Sequence, residues 1–304
     1  MKIAVLALLA LVPFALPSQS MVNIAMLTAF SAFLGQCWNI SGGFGGLTSF
    51  GHAVFFGTGA YAAAIAQTRW GLNPWLGLPL AALCGGAVGA AIGASAFRAG
   101  LRGSYFALVT LAFAEAFRVL ANSLDFTQGG LGINLTLKLG PANFQFADRR
   151  ATYALVLALL AVAMLCAGWL TRSRFGARLA ALRENEDAAS ALGVDLVRTK
   201  TLALALSGAL TALGGVVYVQ TYLYIDPSIA FSVERSVEML LVAMIGGAGS
   251  LWGPVLGALV LHAIADGSRS VIATPGFAPM LYGVLLLVIV AALPRGIAGW
   301  LRRA

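Results

Sequence analysis

Residues 3–68 read IAVLALLALVPFALPSQSMVNIAMLTAFSAFLGQCWNISGGFGGLTSFGHAVFFGTGAYAAAIAQT, 66 positions without one Asp, Glu, Lys or Arg. A helix crosses the hydrocarbon core of a bilayer with about 20 apolar residues, so this stretch alone accommodates three crossings. Working outward, further uncharged runs lie at 70–97, 151–171, 201–225, 239–265 and 270–294. Over the 304 residues, 60% are hydrophobic and 10% charged, against about 45–50% and 25% in a soluble domain. That is too little charge to cover a water-facing surface. A soluble enzyme, a disordered chain and a nucleic-acid-binding domain are excluded, and the first partner the composition demands is the lipid bilayer. Cys37, Cys84 and Cys166 all lie inside apolar runs, where they read as small packing residues rather than a disulfide framework.

The runs are continuous and rich in Leu, Ala and Gly. They lack the short apolar–polar alternation of a membrane β-barrel, which makes the fold all-α and polytopic. About ten transmembrane helices are expected, near 3–17, 21–40, 49–67, 76–97, 104–122, 151–170, 200–222, 235–248, 252–265 and 279–294. The eighth and ninth are short, and one bent or re-entrant element is the alternative reading of the pair. Lys2 followed by an apolar run also resembles a signal peptide. Pro13 inside the run and the lack of a small-x-small cleavage site favour an uncleaved first helix.

Placing the N-terminus in the cytoplasm and alternating puts twelve Lys and Arg residues on the inner side and six on the outer, with Arg118 alone inside a span. This satisfies the positive-inside rule with both termini cytoplasmic. Two loops exceed turn length, an outer one at about 123–150 and an inner one at about 171–199. No linker or soluble insertion separates them, so residues 1–304 read as one membrane domain. GGFGGL at 42–47 recurs as GGAGSL at 246–251, which suggests an internal repeat no more strongly than it suggests coincidence in a chain with 36 glycines.

The inner loop holds a short helix with legible ends. Asn185 is a good N-cap, Glu186 and Asp187 suit the positive end of the helix dipole, and Gly193 suits the left-handed stop. Ala188, Ala189, Ala191 and Leu192 give it a small, smooth surface. At 1.5 Å per residue such a rod is about 10 Å long, the size of a knob that fits a groove on a cytoplasmic partner, or an ordinary surface helix between two spans.

Here the sequence resembles a family. Arg183-Glu184-Asn185-Glu186-Asp187-Ala188-Ala189, then Leu192-Gly193-Val194 and Lys200, looks like the cytoplasmic coupling loop of branched-chain amino acid ABC-transporter permeases of the M type. Leu47 to Gly57 (LTSFGHAVFFG) with Gly59-Ala60-Tyr61, Tyr105 to Leu111 (YFALVTL), Thr127 to Gly132 (TQGGLG), and Gly246 to Ser250 (GGAGS) with Gly253-Pro254 are similar to further blocks of that family, in its order. The resemblance implies a type II ABC importer permease fold of about ten helices in the bacterial inner membrane. It also implies a second permease subunit, two cytoplasmic ATP-binding subunits and a periplasmic substrate-binding protein. The contact to the ATPases would fall on Glu184, Asn185, Ala188, Ala189 and Gly193. The sequence contains no G-x-x-x-x-G-K-(S/T), so ATP and Mg belong to the partners, and no cofactor is expected in this chain.

Polar residues within spans are candidates for a solute path. Gln36, Asn39, His52 and Glu115 are the chosen ones, with Asn23 and Arg118 beside them. Each has a plainer reading. Asn39 and Gln36 can tie helices together, His52 lacks the neighbours a metal site needs, and Glu115 and Arg118 at i, i+3 can pair. Gly42, Gly43, Gly45 and Gly46 suit a broken helix or close backbone approach. The function implied is ATP-driven import of branched-chain or related amino acids. Urea or short amides remain alternatives within the superfamily, and an ion-coupled secondary transporter is the alternative of a different class. An intramembrane enzyme would need H-E-x-x-H, paired aspartates or a Ser–His pair at span depth, and no H-E-x-x-H occurs.

Overall fold

In the computed structural model, residues 18–271 and 296–301 are described. The first and tenth expected spans, 3–17 and 279–294, lie outside them. The long helices are α1 (Gln19–Asn39), α2 (Ala53–Trp70), α3 (Pro74–Arg98), α4 (Gly103–Ser123), α5 (Arg149–Leu170), α8 (Leu196–Tyr222), α10 (Val233–Gly246) and α11 (Gly253–Val271). Shorter helices are α6 (Arg174–Glu184), α7 (Glu186–Ala191), α9 (Pro227–Ala230) and α12 (Gly296–Leu301). Two-residue strands β1 (Ile133–Asn134) and β2 (Tyr224–Ile225) pair antiparallel, Ile133 opposite Ile225. Among the described residues the architecture is all-α apart from this ribbon. Among the described residues five helices are long and apolar enough to cross a membrane: α1 with its continuation to Phe44, α3, α4, α5 and α8. The eighth and ninth expected spans are separate helices, α10 and α11, joined by a glycine turn.

Local chemistry sets the helix ends. Asn73 caps α3 by accepting from the Trp75 N–H at 2.9 Å, and Pro74 follows at the first helical position, where its missing donor costs nothing. Asp195 caps α8 through the Arg198 N–H at 2.9 Å. α1 widens into a π-turn over Ile40–Phe44 and stops at Gly46, whose φ of +69° suits glycine.

The described residues form two compact units. One contains 18–39, 149–168, 238–271 and 296–301; the other contains 40–148 and 169–237. In the first, α11 packs on α1, and the Asn39 side chain clamps the glycine turn, accepting from the Gly249 N–H at 2.7 Å and donating to the Ser250 carbonyl at 2.9 Å. In the second, α2, α3 and α8 pack on one another, α3 most extensively along α8. Between helices in lipid there is no hydrophobic drive to associate, so close packing of small residues does the work. Gly85, Gly89 and Gly93 of α3 lie one turn apart on the side facing α8. A Cβ on Gly85 would sit 2.7 Å from the Gly208 carbonyl oxygen, and one on Gly89 2.8 Å from that of Leu204. Gly59 of α2 and Gly215 of α8 face the partner helix's backbone, at Ala212 and at Phe56 and Ala60 respectively.

Gly215→Val should therefore fail to pack α8 on α2, because the overlap is with backbone and cannot be relieved by a side-chain rotation. Gly168→Ala, where an added Cβ meets nothing within 4 Å, should fold normally. Size-exclusion profiles and apparent Tm of the two variants in detergent test this contrast. A Gly215→Val variant as monodisperse and as stable as wild type contradicts it.

Candidate functional site

The inner loop is more structured than its sequence suggested. After α5, Ser173 accepts from the Gly176 N–H at 3.0 Å and starts α6, which buries Leu179 and Leu182. One residue later, Asn185 Oδ1 accepts from the Ala188 N–H at 3.0 Å and starts α7. Gly193, at φ +84°, ends it, and the Val194 N–H returns to the Ala189 carbonyl at 3.1 Å. The cap and the stop stand where the sequence placed them.

The surface of α7 is not uniform. Ala188 and Gly193 are exposed and Leu192 is 84% exposed, but Ala189 is only 2% exposed. The smooth face expected from the alanines is thus divided, with Ala189 packed inward and Ala188 and Leu192 outward. Glu184 is exposed and bridges its neighbour Arg183 at 3.3 Å.

Three side chains hold this loop to the rest of its unit. Arg183 Nη1 donates to the Gly43 carbonyl in the π-turn at 3.0 Å. Lys200 of α8, whose side chain is 5% exposed, pairs with Glu186 at 2.5 Å, and its ammonium lies 5.3 Å from the centre of the Phe97 ring. Arg102, between α3 and α4, reaches Glu186 at 3.0 Å and Asp187 at 2.9 Å. The hydrogen bond to Asp187, then the charge of Glu186, raise the Arg102 guanidinium above its usual range, so it stays charged.

Behind the π-turn lies a buried polar cluster. His52 Nε2 is 2.8 Å from Ser207 Oγ of α8 and 3.3 Å from Ser41 Oγ, and Ser41 donates to Ser207 at 3.2 Å. Next to it the Phe50 N–H donates to Thr110 Oγ1 at 3.1 Å, and the Ala53 N–H to Ser236 Oγ at 2.9 Å. The blocks LTSFGHAVFFG and YFALVTL, far apart in sequence, meet here. Among the described residues no group of three or more His, Cys, Asp or Glu could hold a metal ion.

The other candidates lie apart. Asn39 spends both amide atoms on the glycine turn. Gln36 is fully buried and neither amide atom has a hydrogen-bond partner. Near it in sequence, Ser31 donates to Glu238 at 2.7 Å and meets His262 Nε2 at 2.9 Å, a linkage invisible at a separation of over 200 residues. Glu115 pairs with Arg118, Nε to Oε2 at 3.0 Å, and both side chains are about half exposed along α4.

Residues 20–292 match the family described as branched-chain amino acid transport system / permease component. The chain belongs to this family. It is a transport permease component, not an enzyme. The high-affinity branched-chain amino acid transport system permease protein LivM of Salmonella typhimurium is 30% identical over 289 residues, 86% of this chain and 67% of that protein. LivM of Escherichia coli is 30% identical over 283 residues, 85% and 66% of the two chains. LivH of Escherichia coli is 30% identical over 143 residues, 47% and 44%. The chain thus spans about two thirds of the length of its LivM relatives. No solved structure matches it.

The Glu186–Lys200 pair gives the site a measurable handle. Glu186→Gln leaves a buried ammonium without its counter-charge, a loss of roughly 3–5 kcal/mol for a buried pair. Glu186→Gln should lower the apparent Tm and expose the 184–196 segment to protease, whereas Glu186→Gln with Lys200→Met should recover most of the loss. An unchanged Tm in the single variant shows that the pair carries no stability.

Proposed function

We propose that this permease is one half of the membrane pore of an ATP-driven importer of branched-chain amino acids. It works with a second permease subunit, two cytoplasmic ATP-binding subunits that hold ATP and Mg, and a periplasmic substrate-binding protein. The observation that carries the reading is a short capped helix, α7, in a chain of this family, exposed on Ala188 and Leu192 and tied by Glu186 and Asp187 to the helices behind it. A rod with a free face and a fixed back can receive a push and pass it on.

Ten spans and cytoplasmic termini complete the proposal, with 171–199 inside and 123–150 outside, supported by the twelve-to-six bias of basic residues. Glu184, Asn185, Ala188 and Gly193 form or frame the ATPase contact, Leu192 joins them, and Ala189 supports α7 from within. The half-exposed Glu115–Arg118 pair on an apolar helix is costly against lipid, which supports cover of that face by the second permease. Along the solute path, Gln36 and Glu115 are the side chains we carry forward; Asn39 and His52 serve helix-to-helix ties. The amino-acid solute rests on the LivM relatives.

In reconstituted complexes, Leu192→Asp and Ala188→Trp should weaken ATPase association or let hydrolysis run without uptake, with insertion of the permease unchanged. Ala189→Trp should instead destabilise the loop itself, because a buried methyl has no room for an indole. Wild-type uptake and coupling in both outward variants would make α7 a mere connector. Uptake by the purified chain without ATP would favour the ion-coupled transporter.

A further inference from the structure

A cavity of about 340 Å³ opens between α2, α3 and α4, within the second unit. Its floor is buried: Tyr61 and Phe231, stacked at 5.8 Å, with Ile65 and Ala121. Its rim is exposed: Trp70 at 62% and Phe126 at 47%, with Leu120 and Leu124. From Thr58 to Trp70 it follows α2 for twelve residues, about 18 Å. Three residues that carry hydroxyls line it, and none offers a free polar group to the cavity. Thr58 donates to the Val54 carbonyl and Thr127 to the Ala121 and Leu124 carbonyls. Tyr61 is 95% buried by its 5% exposure, and its hydroxyl has no hydrogen-bond partner.

At the rim, beside Trp70 and Phe126, sits a cation. The Arg69 guanidinium lies 4.8 Å from the centre of the Phe126 ring and donates to the Asp125 carbonyl at 3.1 Å. Arg69 is exposed and adjoins Trp70, at the helix ends where aromatic side chains meet lipid headgroups.

We propose that this cavity binds one acyl chain of a membrane glycerophospholipid, with the lipid phosphate on Arg69. An apolar wall with a guanidinium at its mouth matches a long hydrocarbon tail below an anionic group, and a guanidinium suits phosphate geometry. A zwitterionic amino acid does not fit, because nothing on the wall compensates its two charges.

The test uses the delipidated full chain in detergent, with palmitoyl-oleoyl phosphatidylglycerol and the diacylglycerol of the same chains, read by native mass spectrometry. One phosphatidylglycerol should be retained at least about tenfold over diacylglycerol, the minimum for a charge-assisted hydrogen bond. Arg69→Gln should erase that preference. Cys84→Trp, which fills the cavity, should abolish retention of both. As a second reading, a chain with Cys37→Ala and Cys166→Ala keeps Cys84 on the cavity wall, and the phospholipid should slow its reaction with maleimide. No retained lipid, equal retention by wild type and Arg69→Gln, or protection of Cys84 only when the second permease subunit is added would overturn the proposal.

Discussion

The close backbone contact of α2 with α8, at Gly59 and Gly215, is the constraint on which the second unit rests. In a bilayer each helix already satisfies its own peptide groups, and lipid competes equally for its apolar side chains. What favours helix on helix is the number of atoms that can touch, which rises sharply when no Cβ intervenes. The same economy explains α3, where three glycines at intervals of four lay the helix along α8. Once α8 is fixed by both neighbours, Ser207 stands opposite His52 and Lys200 stands opposite Glu186.

Polar side chains in this protein act mainly as ties between segments. Asn39 holds a glycine turn, His52 joins two serines from different elements, Ser236 receives the Ala53 N–H, and Gln220 donates to Gln67 at 2.6 Å. Each tie satisfies donors that would otherwise be stranded in an apolar interior. This is why span-embedded polar residues are weak pointers to a solute path when read one at a time. Gln36 differs because its amide is unspent, and an unspent buried amide is the kind of group that a passing polar solute could use.

Much of the fold was legible because length and charge suffice for it. The expected spans at 21–40, 76–97, 104–122, 151–170 and 200–222 fall within helices α1, α3, α4, α5 and α8, with ends displaced by a few residues. Caps were legible too, since Asn185 and Gly193 act on immediate neighbours. α6 was missed: four charged residues among eleven mask its buried pair, Leu179 and Leu182. Ala189 was taken for outer surface because a six-residue helix is too short for periodicity to say which face turns inward. The β-ribbon and the ties of Arg102 and Arg183 were out of reach, since their partners lie 85 and 140 residues away for the two arginines and no local pattern marks them.

The mechanical role proposed for the inner loop rests on one asymmetry in its contacts. Arg102 is exposed, and its bonds to Glu186 and Asp187 exchange readily with water. Lys200 is not exposed, and separating it from Glu186 would leave an ammonium beside Phe97 with neither water nor counter-charge. A displacement of α7 is therefore accommodated more cheaply by moving with Lys200 than by leaving it. Lys200 belongs to the first turns of α8, the helix that carries Ser207, Gly208 and Gly215 into the packed interior. Arg183 meanwhile links the end of α6 to the Gly43 carbonyl and so to Ser41 in the π-turn. Both routes from the loop converge on the Ser41–His52–Ser207 cluster, one through each serine. Under the proposed coupling role, a force on α7 would therefore reach that cluster from two sides.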